Sequence, residues 1–351
     1  MRVFVIGANG FIGHHLIGRI LSETNWDVSG IDVHSHRLVH HLQDDRFHFL
    51  EGDMRAHEAW IEERIKESDV VLPLVSIATP ALYIREPLKV FELNFEENLK
   101  IIRTCVRHRK YLVFPSTSEV YGLCPDDELR EDAGRHVFGN VESQRWIYGV
   151  SKHLLERVIW AYGIHEGLKF TIVRPFNWIG PGLDGADAAR SGAARVVTQF
   201  IWNLLNGEPL RLVNGGEQRR CFTYISDGID CLMAILGCKD ARCHGQIFNI
   251  GNPSADLSIR ELAGMIVGIC GESPLRPKQL PVPGLIDVPH EVYYGPSYQD
   301  IPERKPSISK ARDILGWTPK VGIEEALKTT VDFYLAEFIG SQKPPHSLNQ
   351  D

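Results

Sequence analysis

Three glycines constrain this chain most. In Gly7-Ala8-Asn9-Gly10-Phe11-Ile12-Gly13 they sit between an apolar run, Val3-Phe4-Val5-Ile6, and a stretch with helical periodicity over 11–22. Glycines spaced this way after a strand permit a tight turn, close backbone approach to a pyrophosphate and close helix-on-strand packing, with the helix N-terminus facing the phosphates. The motif therefore predicts a dinucleotide fingerprint, with Gly7, Asn9, Gly10, Phe11, Ile12 and Gly13 against the cofactor. Asp32 ends the next apolar run, 19 positions after Gly13, where a carboxylate can accept hydrogen bonds from an adenine-ribose diol and would repel a 2′-phosphate. NAD is the expected cofactor; the competing reading of Asp32 is a solvated strand end. Gly52-Asp53 could bring Asp53 to the adenine edge, or Asp53 is a turn carboxylate.

The surrounding pattern agrees. Strand-like runs at 27–32, 69–74, 111–115 and 169–174 alternate with helical stretches at 57–66, 90–107 and 145–166, which predicts a parallel sheet built from right-handed crossovers. The expected fold is α/β, a doubly wound sheet of the Rossmann type with a smaller C-terminal substrate lobe. After Pro175 the rhythm breaks into Gly/Pro/Asn-rich connections. The cofactor part is assigned to 1–175 with a return over about 222–251, from strand-like runs at 222–225 and 246–250 around a helix at 226–238. The substrate lobe takes 176–221 and 252–341. Proline-rich 271–290 reads as loop, 322–340 as helix, and 342–351 as a frayed tail.

Composition excludes more than it identifies. A net charge of −7 argues against general nucleic-acid binding, so an anionic ligand needs arginines placed at its site. Seven scattered cysteines form no CxxC pair, and the adjacent histidines lack helical zinc spacing, so reduced thiols and no metal are expected. No run reaches about 18 apolar residues and no charged leader precedes the first strand, so the expectation is a cytoplasmic protein without a membrane segment.

Tyr148 and Lys152 lie four residues apart on one helix face, where an ammonium can favour the phenolate and lower the tyrosine pKa. Alone, such a pair is as easily a surface feature. Ser116-Thr117-Ser118-Glu119-Val120-Tyr121-Gly122 changes the reading, because it follows a predicted strand whose end faces the ligand crevice. Together, the glycine motif, the Thr117 run and the Tyr148/Lys152 pair resemble the extended short-chain dehydrogenase/reductase family of sugar-nucleotide enzymes. The resemblance implies Thr117, Tyr148 and Lys152 as catalytic triad.

Hexose dehydratases in that family carry Thr-Asp-Glu where this chain has Thr117-Ser118-Glu119, and the serine removes the expected proton donor. Other stretches are similar to UDP-glucuronic acid oxidative decarboxylases, as in the C-terminal domain of the bifunctional enzyme of the lipid A aminoarabinose pathway: Arg145-Trp146-Ile147-Tyr148, Arg174-Pro175-Phe176-Asn177-Trp178, Arg220-Cys221-Phe222-Thr223 and Tyr298-Gln299-Asp300 leading to Arg304. This resemblance implies Ser118, Glu119 and Arg304 at the sugar carboxylate, and Asn177, Arg195, Arg211, Arg220 and Tyr298 around the nucleotide diphosphate. The alternatives are that Glu119 only closes a loop network and that Arg304 pairs with Glu303 or Asp300. It further implies a UDP-sugar substrate and a homodimer or higher homo-oligomer through 90–107 and 145–166. Reduction onward to UDP-xylose, a UDP-uronic acid 4-epimerase and a catalytically silent NAD-binding protein stay open.

Overall fold

The computed structural model describes residues 1–132, 134–238, 241–276, 283–296 and 298–341. Its centre is a seven-stranded parallel sheet made of β1 (Arg2–Ile6), β2 (Asp27–Asp32), β3 (Phe47–Glu51), β4 (Val70–Pro73), β5 (Tyr111–Pro115), β6 (Phe170–Pro175) and β11 (Gln246–Ile250). Strand order is β11-β6-β5-β4-β1-β2-β3, with every neighbouring pair parallel. The order reverses beside β1, so the carboxyl ends of β1 and β4 diverge around a crevice, as the expected doubly wound fold requires.

Alternation along each strand makes the layers. Val3 and Val5 of β1 face one core while Phe4 and Ile6 face the other; Val113 of β5 opposes Leu112 and Phe114 in the same way. Helices α1 (Phe11–Glu23) and α9 (Ile225–Leu236) cover the first face. The second is covered by α2 (Glu58–Glu67), α5 (Asn98–Arg107) and α6 (Ile147–Glu166). Strands buried on both faces need apolar side chains throughout, which explains the near-continuous runs read from the sequence.

Between β4 and α5 come the short helices α3 (Pro80–Arg85) and α4 (Pro87–Phe91), then a π-helical stretch at Glu92–Glu97. The single helix expected over 90–107 is thus interrupted. The buried Asn94 explains why: its Oδ1 accepts from the Ile77 amide at 2.7 Å and its Nδ2 donates to the Ile77 carbonyl at 2.9 Å. Asn98 donates to the Val75 carbonyl at 3.2 Å. The wider turn satisfies the β4–α3 loop, which would otherwise bury unpaired backbone groups.

The second lobe holds β7 (Trp178–Ile179), α7 (Ala186–Arg190), α8 (Val196–Leu205), β8 (Leu210–Val213), β9 (Arg219–Cys221), β10 (Thr223–Tyr224), β12 (Asp256–Ser258), α10 (Ile259–Glu272), β13 (Leu285–Val288), α11 (His290–Tyr293), α12 (Ser309–Leu315) and α13 (Ile323–Ser341). Phe200 of α8, Ile266 of α10 and Leu335 of α13 join the same core as Val3 and Val5, so both lobes share one hydrophobic interior.

Two expectations need correction. The 222–225 run does not return to the main sheet: β10 pairs with β7 in a separate two-stranded ribbon, and only β11 rejoins, beside β6. Proline-rich 271–290 is not all loop, because α10 runs to Glu272 and β13 pairs in parallel with β8. The expected frayed tail from 342 lies outside the described residues. Among the described residues no helix is long and apolar enough to cross a membrane, and no cluster of His, Cys, Asp or Glu could hold a metal ion.

Candidate active site

Backbone hydrogen bonds continue past the strand ends and aim the loops into the crevice. Gly7 donates to the Ile31 carbonyl at 2.9 Å, Leu74 to Ile6 at 2.7 Å and Ser116 to Val173 at 2.8 Å. Gly7 has φ +91°, a conformation that L side chains rarely adopt. A Cβ on Gly13 would lie 2.3 Å from the Gly7 carbonyl oxygen, so only glycine lets α1 start against the β1 turn. Gly10 is the N-cap of α1 and makes no side-chain cap, which leaves the first-turn amides of Phe11 and Ile12 for an anion.

Asp32 accepts from the Asn9 amide at 2.9 Å, and burial raises its pKa against the lowering effect of that bond. The buried Asn9 side chain is spent on the loop after β2: its Oδ1 accepts from the Arg37 amide at 2.8 Å. Asp53 caps the short turn at Met54–Ala56 and pairs with Arg55 at 2.6 Å, its hydrogen bonds to Arg55 pulling it down to about 2. These residues fit a dinucleotide: a glycine cradle with free amides at one end and a strand-end carboxylate at the other.

Across the crevice stand the hydroxyls and the helix pair. Thr117 caps a short turn at Ser118–Tyr121, its Oγ1 accepting from the Glu119 amide at 3.2 Å. The Tyr148 hydroxyl lies beside Thr117 and Ser76, which both favour its phenolate, and its ring stacks on Tyr83 of α3 with centroids 4.8 Å apart. Lys152 is buried, donates from Nζ to the Pro115 carbonyl at 2.8 Å and lies over the Phe114 ring. Burial pushes Tyr148 up to about 12 and pulls Lys152 down to about 7. The direction for Tyr148 is the reverse of that expected from its lysine, because desolvation of the ring outweighs the lowering by Thr117 and Ser76.

Beyond Tyr148 the crevice opens into a second cleft, and the two share Glu119, Asn177, Arg195 and Arg304. Glu119 sits between two guanidinium groups. Arg304 donates to it at 2.5 Å and to Ser118 Oγ at 3.2 Å, while Arg145 donates a very short bond to its other oxygen. Burial alone would raise the Glu119 pKa, but Arg145 and Arg304 together hold it well below the carboxylate range. Arg304 therefore pairs with neither Glu303 nor Asp300, and burial lowers its own pKa. One net positive charge is left over in a desolvated pocket.

The outer arginines differ among themselves. Arg220 is anchored by Asp300 at 2.7 Å and by the Ile301 carbonyl at 2.8 Å. Arg195 is held by Asp184 at 2.8 Å, whereas Arg211 is exposed and its side chain has no hydrogen-bond partner among the described residues. All three line the second cleft with Asn177 and Tyr298, whose ring stacks on Tyr294 at 4.0 Å. Asn177 takes φ +37° and donates to the Cys221 carbonyl at 3.1 Å.

Three residues went unassigned in the sequence: Ser76, Tyr83 and Arg145. Arg145 stands in the quoted Arg145-Trp146-Ile147-Tyr148 run, three positions before the tyrosine, so its signal was present. Nothing local marks Ser76 or Tyr83.

A model of the NAD-dependent epimerase/dehydratase family matches residues 3–251. The chain belongs to that family. Its cofactor is accordingly NAD, in agreement with the glycine cradle and Asp32. Among solved structures, the PbgP3 protein of Burkholderia pseudomallei is 43% identical with a TM-score of 0.84, the match covering 97% of this chain and 98% of that one. A UDP-glucuronic acid 4-epimerase of Bacillus cereus, solved with UDP-glucuronic acid and NAD, is 23% identical with a TM-score of 0.78 over 96% of this family member and all of that chain. A UDP-glucose 4-epimerase of Thermotoga maritima, solved with UDP-glucose, is also 23% identical, with a TM-score of 0.75 and the same coverage. At 23% these last two speak for the fold alone.

Proposed function

We propose that this enzyme oxidises and decarboxylates UDP-glucuronic acid, giving a UDP-4-keto-pentose. The observation that carries the proposal is Glu119 held ionised between Arg145 and Arg304, beside Tyr148 and in a cleft continuous with the glycine cradle. A buried pair of arginines with one charge to spare suits a substrate that brings its own carboxylate. The Bacillus cereus neighbour, solved with UDP-glucuronic acid, is compatible with that substrate class.

When bound, NAD+ supplies the acceptor for the hydride leaving sugar carbon 4. Tyr148 as phenolate takes the proton of the 4-hydroxyl, with Thr117 and Ser76 beside it to favour the phenolate. Lys152, whose burial brings it down to about 7, is assigned as the cation that favours the phenolate, one of its three N–H groups being held by the Pro115 carbonyl. The ketone so formed lies β to the carboxylate carbon, so the bond to that carbon breaks and carbon dioxide leaves with its electrons flowing into the carbonyl. Arg304 and Ser118 hold the carboxylate end, and Glu119 orients Arg304 while an ordered water returns a proton to carbon 5. Arg195, Arg211 and Arg220 are assigned to the diphosphate, with Asn177 and Tyr298 completing the pocket. The cofactor part is 1–175 with 225–250, where α9 and β11 return, and the substrate lobe is 176–224 with 251–341. Exposed Val150, Leu154 and Ile164 on α6 are the proposed dimer contact.

A time course with UDP-glucuronic acid and NAD+ tests the proposal. Carbon dioxide with stoichiometric free NADH is expected; carbon dioxide without net NADH indicates onward reduction to UDP-xylose. Conversion to a second uronic acid with all carbon retained overturns decarboxylation in favour of 4-epimerisation. Arg304→Gln should lose about 10²–10³ in turnover, the range for removing one charge-stabilising donor, with NAD+ affinity unchanged.

A further inference from the structure

Tyr148, Lys152 and Glu156 recur every four residues along α6, and all three are buried. Glu156 takes no part in the chemistry above. It is clamped by Arg174 of β6 through two parallel bonds, Nε to Oε1 at 2.9 Å and Nη2 to Oε2 at 2.6 Å, with both side chains almost fully buried. Arg174 in turn lies over the Tyr121 ring at 4.7 Å, and Tyr121 donates to Asn249 Oδ1 at 2.8 Å.

We infer that the Glu156–Arg174 pair is a positioning device for Lys152: the carboxylate one helical turn away sets how readily the lysine holds its proton, and Arg174 fixes where that carboxylate stands. The inference rests on Lys152 as the partner of the Tyr148 phenolate. Groups at i and i+4 on a helix are neighbours, and in a desolvated site a charge at that distance acts with little screening. The other groups around the ammonium are Tyr148 on α6, the Pro115 carbonyl and Phe114 ring from β5, and Thr117 beyond them. Glu119 is neutralised by its own two arginines. Glu156 is thus the anion that offsets the burial of Lys152. Without its clamp the carboxylate would be an unpaired buried charge free to turn toward the ammonium and draw it from the cleft. Arg174 keeps it one turn away, near enough to act by its field and too well bonded to form a direct ion pair.

The test reads the titration of Lys152 itself. Protein carrying lysine labelled with carbon-13 at Cε is titrated by NMR, the Lys152 signal being identified by its loss in Lys152→Arg. Glu156→Gln should lower the midpoint by about one pH unit, a tenfold change in the protonation equilibrium, and Arg174→Gln should raise it by a similar amount. Glu156→Asp, which keeps the charge, should stay within a few tenths of the wild type. In each variant the alkaline limb of turnover should move with the midpoint. A purely structural ion pair would lower thermal stability in every variant and leave the midpoint fixed; a folded Glu156→Gln protein with an unmoved midpoint overturns the inference. Should Glu156→Gln not fold, Arg174→Gln is titrated alone, and there again an unmoved midpoint overturns it. Midpoints that shift while turnover with UDP-glucuronic acid is absent fault the substrate assignment and leave the coupling standing.

Discussion

The two ends of the crevice are built by opposite means. At the cofactor end the recognition surface is backbone: Gly7 at positive φ, Gly13 where a side chain would strike a carbonyl, and the uncapped amides of α1. At the sugar end it is side chain: Glu119, Arg145 and Arg304 come from a turn after β5, the entrance of α6 and the strap before α12. Backbone recognition needs residues adjacent in sequence, whereas a charge cluster can be assembled from anywhere that folding brings together. The first end tolerates no added atoms; the second tolerates no unbalanced charge.

The largest effect that tests this contrast is on stability. Glu119→Gln leaves two buried guanidinium groups without their anion, and breaking such a pair costs about 3–5 kcal/mol. The same group gives a pH dependence. Its folded pKa is depressed, so its contribution is complete above the ordinary glutamate value of 4.5 and is lost as pH falls through the folded value. Calorimetric melting of the variant should show a lowered transition at neutral pH and a gap from wild type that narrows on acidification. An unchanged transition at neutral pH would mean that the cluster is charge-balanced from elsewhere.

Smaller, and at the other end, Gly13→Ala should weaken NAD+ binding by roughly ten- to a hundredfold, as α1 moves off the β1 turn by the distance the new methyl demands. Equilibrium fluorescence titration would read it. Arginine-cluster stability should be untouched, and a matching loss at the sugar end would break the contrast.

Smallest of all is Asp32→Asn. Burial raises this carboxyl in the fold, so its contribution is present below the unfolded value and lost as pH rises, the reverse of Glu119. The asparagine variant should therefore melt slightly higher than wild type at neutral pH while binding NAD+ more weakly, since the ribose diol loses an anionic acceptor. A lower melting temperature would show that the Asn9 amide needs the charge.

The same division explains what could be read in advance. Gly7, Gly10, Gly13 and Asp32 were legible because a tight turn and a strand end are local demands on local residues. Thr117, Tyr148 and Lys152 were legible through a strand end and a helical spacing. Arg304 was identifiable as a site residue, but its partner was not: Glu119 lies 185 positions away, while Glu303 and Asp300 are next to it. Helix α8 went unread because Val196–Leu205 is buried on nearly every side and shows no periodicity. Helix α10 carried a visible signature, Ser258 three residues before Glu261, whose reciprocal capping bonds are formed. Strand β13 was concealed by the prolines around it, since it pairs with β8 at the rim of the lobe rather than inside the main sheet.

The late arrival of β11 bears on synthesis. Gln246 pairs with Thr171, so β6 is an open sheet edge until some 75 further residues have left the ribosome. During that interval a strand reading Phe170-Thr171-Ile172-Val173 could recruit a neighbouring nascent chain. Pro175 closes that strand with a missing amide donor, which blunts the edge at that end.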